Sequence, residues 1–203
     1  MREWAIDKAG ETFANVAFES YKKFGDNSPI ISIENPPAGS GLSRAEDLRD
    51  LVEEARKKFI NNATENLGLS KSEAKEQAEK LIGVTWDVGH INMLRGHGYK
   101  EKDIIKQTEE IAKYVKHVHL SDNFGLEHTE LPMGMGNVTT KEHLELIDKY
   151  NKQVKKIVET GDWFQPFKTT PFRETLSAFG SSVYGMDSPY WNQTAYRSGG
   201  YFV

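Results

Sequence analysis

Four short segments limit what this chain can fold into: PIISIE (29–34), IGVTWD (82–87), KHVHLSD (116–122) and KKIVET (155–160). Each is compact, apolar and rich in β-branched residues, without strict alternation, which is the pattern of a strand buried on both faces of a parallel sheet. Helical patterns lie between them at 43–62, 70–81, 101–115 and 139–154, and an amphipathic stretch over roughly 2–20 precedes the first. Ser43 with Glu46, Ser70 with Glu73 and Thr139 with Glu142 have the capping-box spacing, in which the two side chains satisfy backbone N–H groups left over at a helix start. Strands alternating with helices in this order predict an α/β fold, a parallel sheet with helical cover. Four such strands make either an open sheet or half of an eight-stranded barrel.

Composition narrows the function classes. The chain has 203 residues, 37% hydrophobic and 28% charged, as expected of one domain with an ordinary core. A net charge of −4 gives no basic surplus of the kind that tracks a phosphate backbone, so nucleic acid is not the expected partner. Cysteine is absent, which excludes disulfides, thiolate zinc sites and thiol nucleophiles. Any metal must therefore sit on carboxylates and imidazoles. No apolar run approaches the roughly 18 residues of a membrane helix, and MREWAIDKAGETF carries charges where a signal peptide needs an apolar centre. The expectation is a soluble, cytoplasmic protein.

Each strand segment also finishes on an ionisable residue: Glu34, Asp87, His119 and Glu159. In parallel α/β folds the C-terminal ends of the strands form one rim where sites assemble, so the four are expected to converge. Two glutamates, an aspartate and an imidazole suit a divalent ion such as Mn²⁺, Mg²⁺, Co²⁺ or Zn²⁺ without choosing among them. Gly89 permits a tight turn that brings His90 back over the same rim. His117 is expected as a satisfied core histidine, and His97 and His143 as surface residues.

ISIENPP, VTWDVGHINM, HVHLSDNFGLEHTELPMGMGNV and IVETG, in this order, resemble the second half of the xylose-isomerase-like TIM-barrel superfamily. That group includes sugar and sugar phosphate isomerases and epimerases and endonuclease IV-type repair enzymes, and the resemblance spans roughly Met1 to Phe167. It implies that Glu34, Asp87, His119 and Glu159 bind the metal and that Glu34 and Glu159 move the substrate proton. It further implies that His90 contacts substrate and that GMGNV is the turn leading into the helix from Thr139. Where such proteins often carry an Asp and a His two residues apart, this chain holds His128 and Glu130, which alters the three-metal pattern of the nucleases and leaves His128 as a possible additional site residue.

The expected organisation is a half TIM barrel over 1–166 and an irregular tail rich in aromatics, Gly and Ser over 167–203. Half a barrel has two open sheet edges, so the chain is expected to form a homo-oligomer, to pair with a complementary N-terminal half, or to be part of a longer protein. The leading expectation is a metal-dependent sugar isomerase or epimerase working through an enediolate. The alternatives are an abasic-site endonuclease and a non-catalytic half-barrel that binds a partner.

Overall fold

A computed structural model of the chain describes residues 1–161, 163, 167, 168 and 170–179. Its centre is one parallel sheet of β1 (Ile31–Glu34), β2 (Ile82–Asp87), β3 (Val115–Leu120) and β4 (Lys155–Val158), in the order β1-β2-β3-β4. Sequential neighbours joined by helical crossovers are the arrangement of a barrel arc, and the chain is an α/β partial TIM barrel. The register places Glu34 opposite Thr85, and Asp87 opposite His119. The carboxyl ends of the strands therefore open on one rim.

Helices cover one face. They are α1 (Arg2–Phe24), α2 (Ala45–Leu67), α3 (Lys71–Leu81), the short α4 (Val88–Asn92), α5 (Glu101–Ile111) and α6 (Thr140–Asp148). In α2 the residues Leu48, Leu51, Val52, Ala55, Phe59 and Ala63 recur at helical spacing, and all are buried. α1 meets them with small residues, Gly10, Ala14 and Ala17, because a Cβ at Gly10 would come within 3.1 Å of Glu54 Cγ. Arg2 anchors this pair by hydrogen bonds to Asp47 (2.6 Å) and Asp50 (2.7 Å). Every residue of β2 is buried, as its unbroken apolar run predicts. In β4 all four residues are exposed, so that this edge lacks cover among the described residues.

Only one of the three capping boxes forms. Ser70 Oγ accepts from the Glu73 N–H while Glu73 accepts from the Ser70 N–H. At the start of α2 the Ser43 box is replaced by a tertiary partner: Arg44 is the cap residue without a side-chain bond, and Gln107 of α5 accepts from the Ala45 N–H at 3.0 Å. Thr139 likewise makes no cap, because its hydroxyl donates to Glu101. In the first case a long-range acceptor takes the helix N–H; in the second a long-range carboxylate takes the hydroxyl of the cap residue itself.

Two histidine assignments are corrected. His143, expected at the surface, is fully buried, because with Ile147 it forms the inward face of α6. There its Nδ1 lies 2.6 Å from Thr108 Oγ1, which accepts from Trp86 Nε1 at 2.8 Å. His117, expected in the core, is only half-buried and stacks edge-on against His119 on the site's side of the sheet, with ring centroids 4.9 Å apart. His97 is exposed, as expected.

Within the stretch expected as an irregular tail, Phe172–Ala178 forms a short helix. The aromatic-rich stretch from 180 onward lies outside the described residues. No helix among the described residues is long and apolar enough to cross a membrane.

Candidate metal centre

The rim brings together Glu34 from β1, Asp87 from β2, His119 from β3 and Glu159 just beyond β4, each offering one ligand atom, all within 4.8 Å of one another. His119 Nδ1 is 3.0 Å from Glu34 Oε1, 2.9 Å from Glu159 Oε2 and 3.9 Å from Asp87 Oδ2. One ring N–H can be given to one acceptor, and its geometry favours Glu34. Asp87 Oδ2 and Glu159 Oε2 are buried and have no hydrogen-bond partner. Burial pushes the Asp87 carboxyl up to about 6; His90 opposes this, and the Glu159 and Glu34 carboxylates push it further up.

Three carboxylates facing one nitrogen, with two oxygens lacking donors, favour a proton or a cation among them. Leaving a buried carboxylate oxygen unsatisfied costs on the order of 1–3 kcal/mol, and more for a charged group. A divalent cation would relieve the deficit, and Glu34, Asp87, His119 and Glu159 would be the residues to hold it. The hard oxygen donors and single imidazole fit Mg²⁺, Mn²⁺, Co²⁺ or Zn²⁺.

The surrounding residues hold these groups in place. Asn35, directly after Glu34, is fully buried and clamps β2: its Oδ1 accepts from the Asp87 N–H (2.7 Å) and its Nδ2 donates to the Asp87 carbonyl (3.0 Å). Its own carbonyl accepts from His90 Nδ1 at 2.7 Å. Asp87 Oδ1 caps α4 by accepting from the His90 N–H at 2.8 Å, which leaves Oδ2 free to face the cluster. α4 can pack this closely only because residue 89 is glycine, where a Cβ would lie 2.1 Å from Ser121 Oγ. Motif reasoning singled out the ionisable residues and overlooked Asn35; the signal was present in SIEN, as an amide between a strand end and two prolines.

His90 lies beside the four but is not among them. With Nδ1 given to Asn35, its bare Nε2 points at His128 Nε2, 2.8 Å away, and His128 in turn lies 3.5 Å from Glu130. Glu130 is tied to the strand end by the Gly161 N–H at 2.8 Å. The loop after β3 is organised by Asp122, which accepts from the backbone N–H groups of Asn123, Gly134 and Val138. The GMGNV turn is thus folded round one buried carboxylate, and α6 follows at Thr140.

A parallel sheet of sequential βα units whose carboxyl rim collects three carboxylates and an imidazole is of the TIM-barrel class, with a cluster that could hold a metal. Within it the sequence profile of the Xylose isomerase-like TIM barrel family matches residues 31–178, and the chain belongs to that family. The matched stretch begins at β1, so α1 precedes it, and it runs through the Phe172–Ala178 helix. Neither a curated protein nor a solved structure gave a significant match. The family includes both sugar isomerases or epimerases and endonuclease IV-like enzymes.

Proposed function

We propose that the chain carries the site of a divalent-metal-dependent sugar or sugar phosphate isomerase or epimerase. The observation that carries this reading is the convergence of Glu34, Asp87, His119 and Glu159. When bound, a divalent ion supplies Lewis-acid polarisation of a carbonyl oxygen. The chain's own residues would do the rest. Glu34 and Glu159, on opposite edge strands of the sheet, approach a bound sugar from two sides, so that one takes the proton next to the carbonyl and the other returns it. General acid/base transfer of this kind is worth about 10²–10⁴ in rate. His90, whose Nδ1 is held by the Asn35 carbonyl, orients a substrate hydroxyl through Nε2 when that hydroxyl takes the place His128 Nε2 occupies at 2.8 Å.

A second reading, an abasic-site endonuclease, would draw on His128 and Glu130, which add donors beside His90 but depart from the three-metal pattern of the nucleases. The carboxylate-rich rim and the net charge of −4 suit a neutral or modestly charged sugar better than a DNA backbone. The uncovered β4 edge also suits a partner strand, either from a second copy of the chain or from a complementary half-barrel.

The test is proton exchange in D₂O. Ketoses and ketose phosphates are incubated with Mn²⁺-loaded protein and followed by NMR at the carbon next to the carbonyl. Deuterium should enter with at least one sugar and stop entering with Glu159→Gln. No exchange with any sugar in a protein that has retained its metal would rule the reading out, and cleavage of an abasic duplex by the same sample would favour the second.

A further inference from the structure

At the opposite end of the sheet, where β2 and β3 begin, lies a cavity of about 510 Å³ whose walls include Arg56, Lys57, Lys75, Lys113 and Lys116 against only Glu53 and Glu79. Most of the compensating pairs are already used. Lys57 pairs with Glu54 at 3.1 Å, Lys75 reaches Glu79 at 4.0 Å, and Glu53 accepts from the Tyr114 hydroxyl. Arg56, Lys113 and Lys116 are left with no carboxylate at ion-pair distance among the described residues. Three cations therefore face one cavity in a chain whose net charge is −4.

Two of the three are held in place. Arg56 uses Nε and Nη2 on the Ile82 carbonyl (3.0 and 2.8 Å) and stacks its guanidinium over Tyr114 at 5.2 Å, which fixes the plane of the fork. Lys116 is half-buried, and its stem lies across β2 at Gly83, where a Cβ would come within 2.4 Å of Lys116 Cγ. Glycine is disfavoured inside a strand and here marks a close approach. The side chain that approaches is a lysine with no carboxylate at ion-pair distance, Glu79 acting on it only from further off. Burial holds both Arg56 and Lys116 below their ordinary values and the charge of Arg56 lowers Lys116 further, while Glu79 opposes the shift at both. A half-buried cation pair whose nearest carboxylates stand beyond ion-pair distance is relieved further by a bound anion.

We infer that this cavity is a binding site for a small phosphate-bearing anion, held by Arg56, Lys113 and Lys116 and separate from the metal centre at the other end of the strands. Guanidinium and ammonium donors on one concave wall match tetrahedral oxyanion chemistry, and the volume suits a small metabolite.

The test measures binding of inorganic phosphate and of glycerol phosphate to the full chain by calorimetry and thermal unfolding, at constant ionic strength against chloride. The expected result is saturable binding with a rise in Tm, weakened at least tenfold by Lys116→Met and unchanged by Asp87→Asn. Lys113→Met, at an exposed position, gives a second loss if the Lys116 variant folds poorly. Tighter binding of the ester would assign the cavity to a phosphomonoester, and equal or weaker binding to free phosphate. An unsaturable Tm rise that persists in both lysine variants would be general salt exclusion and would overturn the inference, as would binding lost in Asp87→Asn and retained in the lysine variants.

Discussion

The two faces of β2 carry adjacent residues with opposite fates. Trp86 points into the helical layer and starts a chain in which its Nε1 donates to Thr108 Oγ1, which is hydrogen-bonded in turn to His143 Nδ1, with all three residues fully buried. Asp87, the next residue, points to the rim, where Oδ2 has no donor and other carboxylates crowd it. The rear chain is neutral and nearly complete, with only His143 Nε2 unpartnered. The rim cluster is charged and incomplete. A polar group whose bonds are all made inside the chain supports structure, whereas like charges assembled without donors need a ligand from outside.

Breaking the rim should therefore change binding, and breaking the rear should change stability. The largest effect is expected from Asp87→Asn, which keeps the shape and removes the charge. Its affinity for Mn²⁺ or Co²⁺ should fall by about 10³ or more while the protein stays folded, as measured by calorimetry alongside circular dichroism. Gly89→Ala comes next. Its Cβ would be driven into Ser121 Oγ and toward Asp87 Oδ1, so denaturant unfolding should show a loss of about 2–4 kcal/mol and metal affinity should fall roughly 10–100-fold. His143→Leu should lower stability by about 1–3 kcal/mol, since it leaves the Thr108 hydroxyl without its imidazole partner, and metal stoichiometry should not change. A His143→Leu protein that lost its metal would erase the distinction between the faces.

The smallest net effect is in the pH dependence of the unaltered metal-free protein, because there the two faces contribute with opposite signs. Asp87 is raised from 3.8 to about 6, so between these values the native state holds a proton that the unfolded chain has released. Its contribution is present at low pH and is lost as pH rises through about 6. His143 is lowered from 6.5 to about 4 by burial, so across that interval the unfolded chain holds the extra proton. Its contribution is present above about 6.5 and is lost on acidification toward 4. Each limb amounts to roughly 2–3 kcal/mol. In the unaltered protein they largely cancel between pH 4 and 6.5. Asp87→Asn should keep only the loss on acidification and His143→Leu only the loss on raising the pH, as read from urea midpoints across that range. Equal slopes in the two variants would contradict the assignment.

Much of the architecture was legible because it rests on short-range patterns. The β-branched runs gave four strands, and the ends of those strands gave the rim residues before any coordinates. The parts that misled were decided by partners far away in sequence. The Ser43 and Thr139 capping boxes gave way to Gln107 and Glu101, which no local window can anticipate. His143 looked like a surface residue because EHLELID is mostly polar, and only the Trp86–Thr108 pair across the helical layer explains its burial. The expected boundaries of the later helices ran too long: α5 ends at Ile111 before a tighter turn at Ala112–Tyr114, and α6 ends at Asp148. Asn35 was missed for a different reason. It performs no chemistry, and its importance comes from bonding Asp87 and His90 simultaneously.

The central claim is that Glu34, Asp87, His119 and Glu159 form one metal centre, and cobalt titration tests it most directly. The account predicts one Co²⁺ per chain with a visible absorption spectrum that changes in His119→Ala, together with loss of the ion in Asp87→Asn and Glu159→Gln. A protein that binds no Co²⁺, Mn²⁺, Mg²⁺ or Zn²⁺ with all four residues intact, or that keeps the same spectrum and stoichiometry after they are replaced, would contradict it.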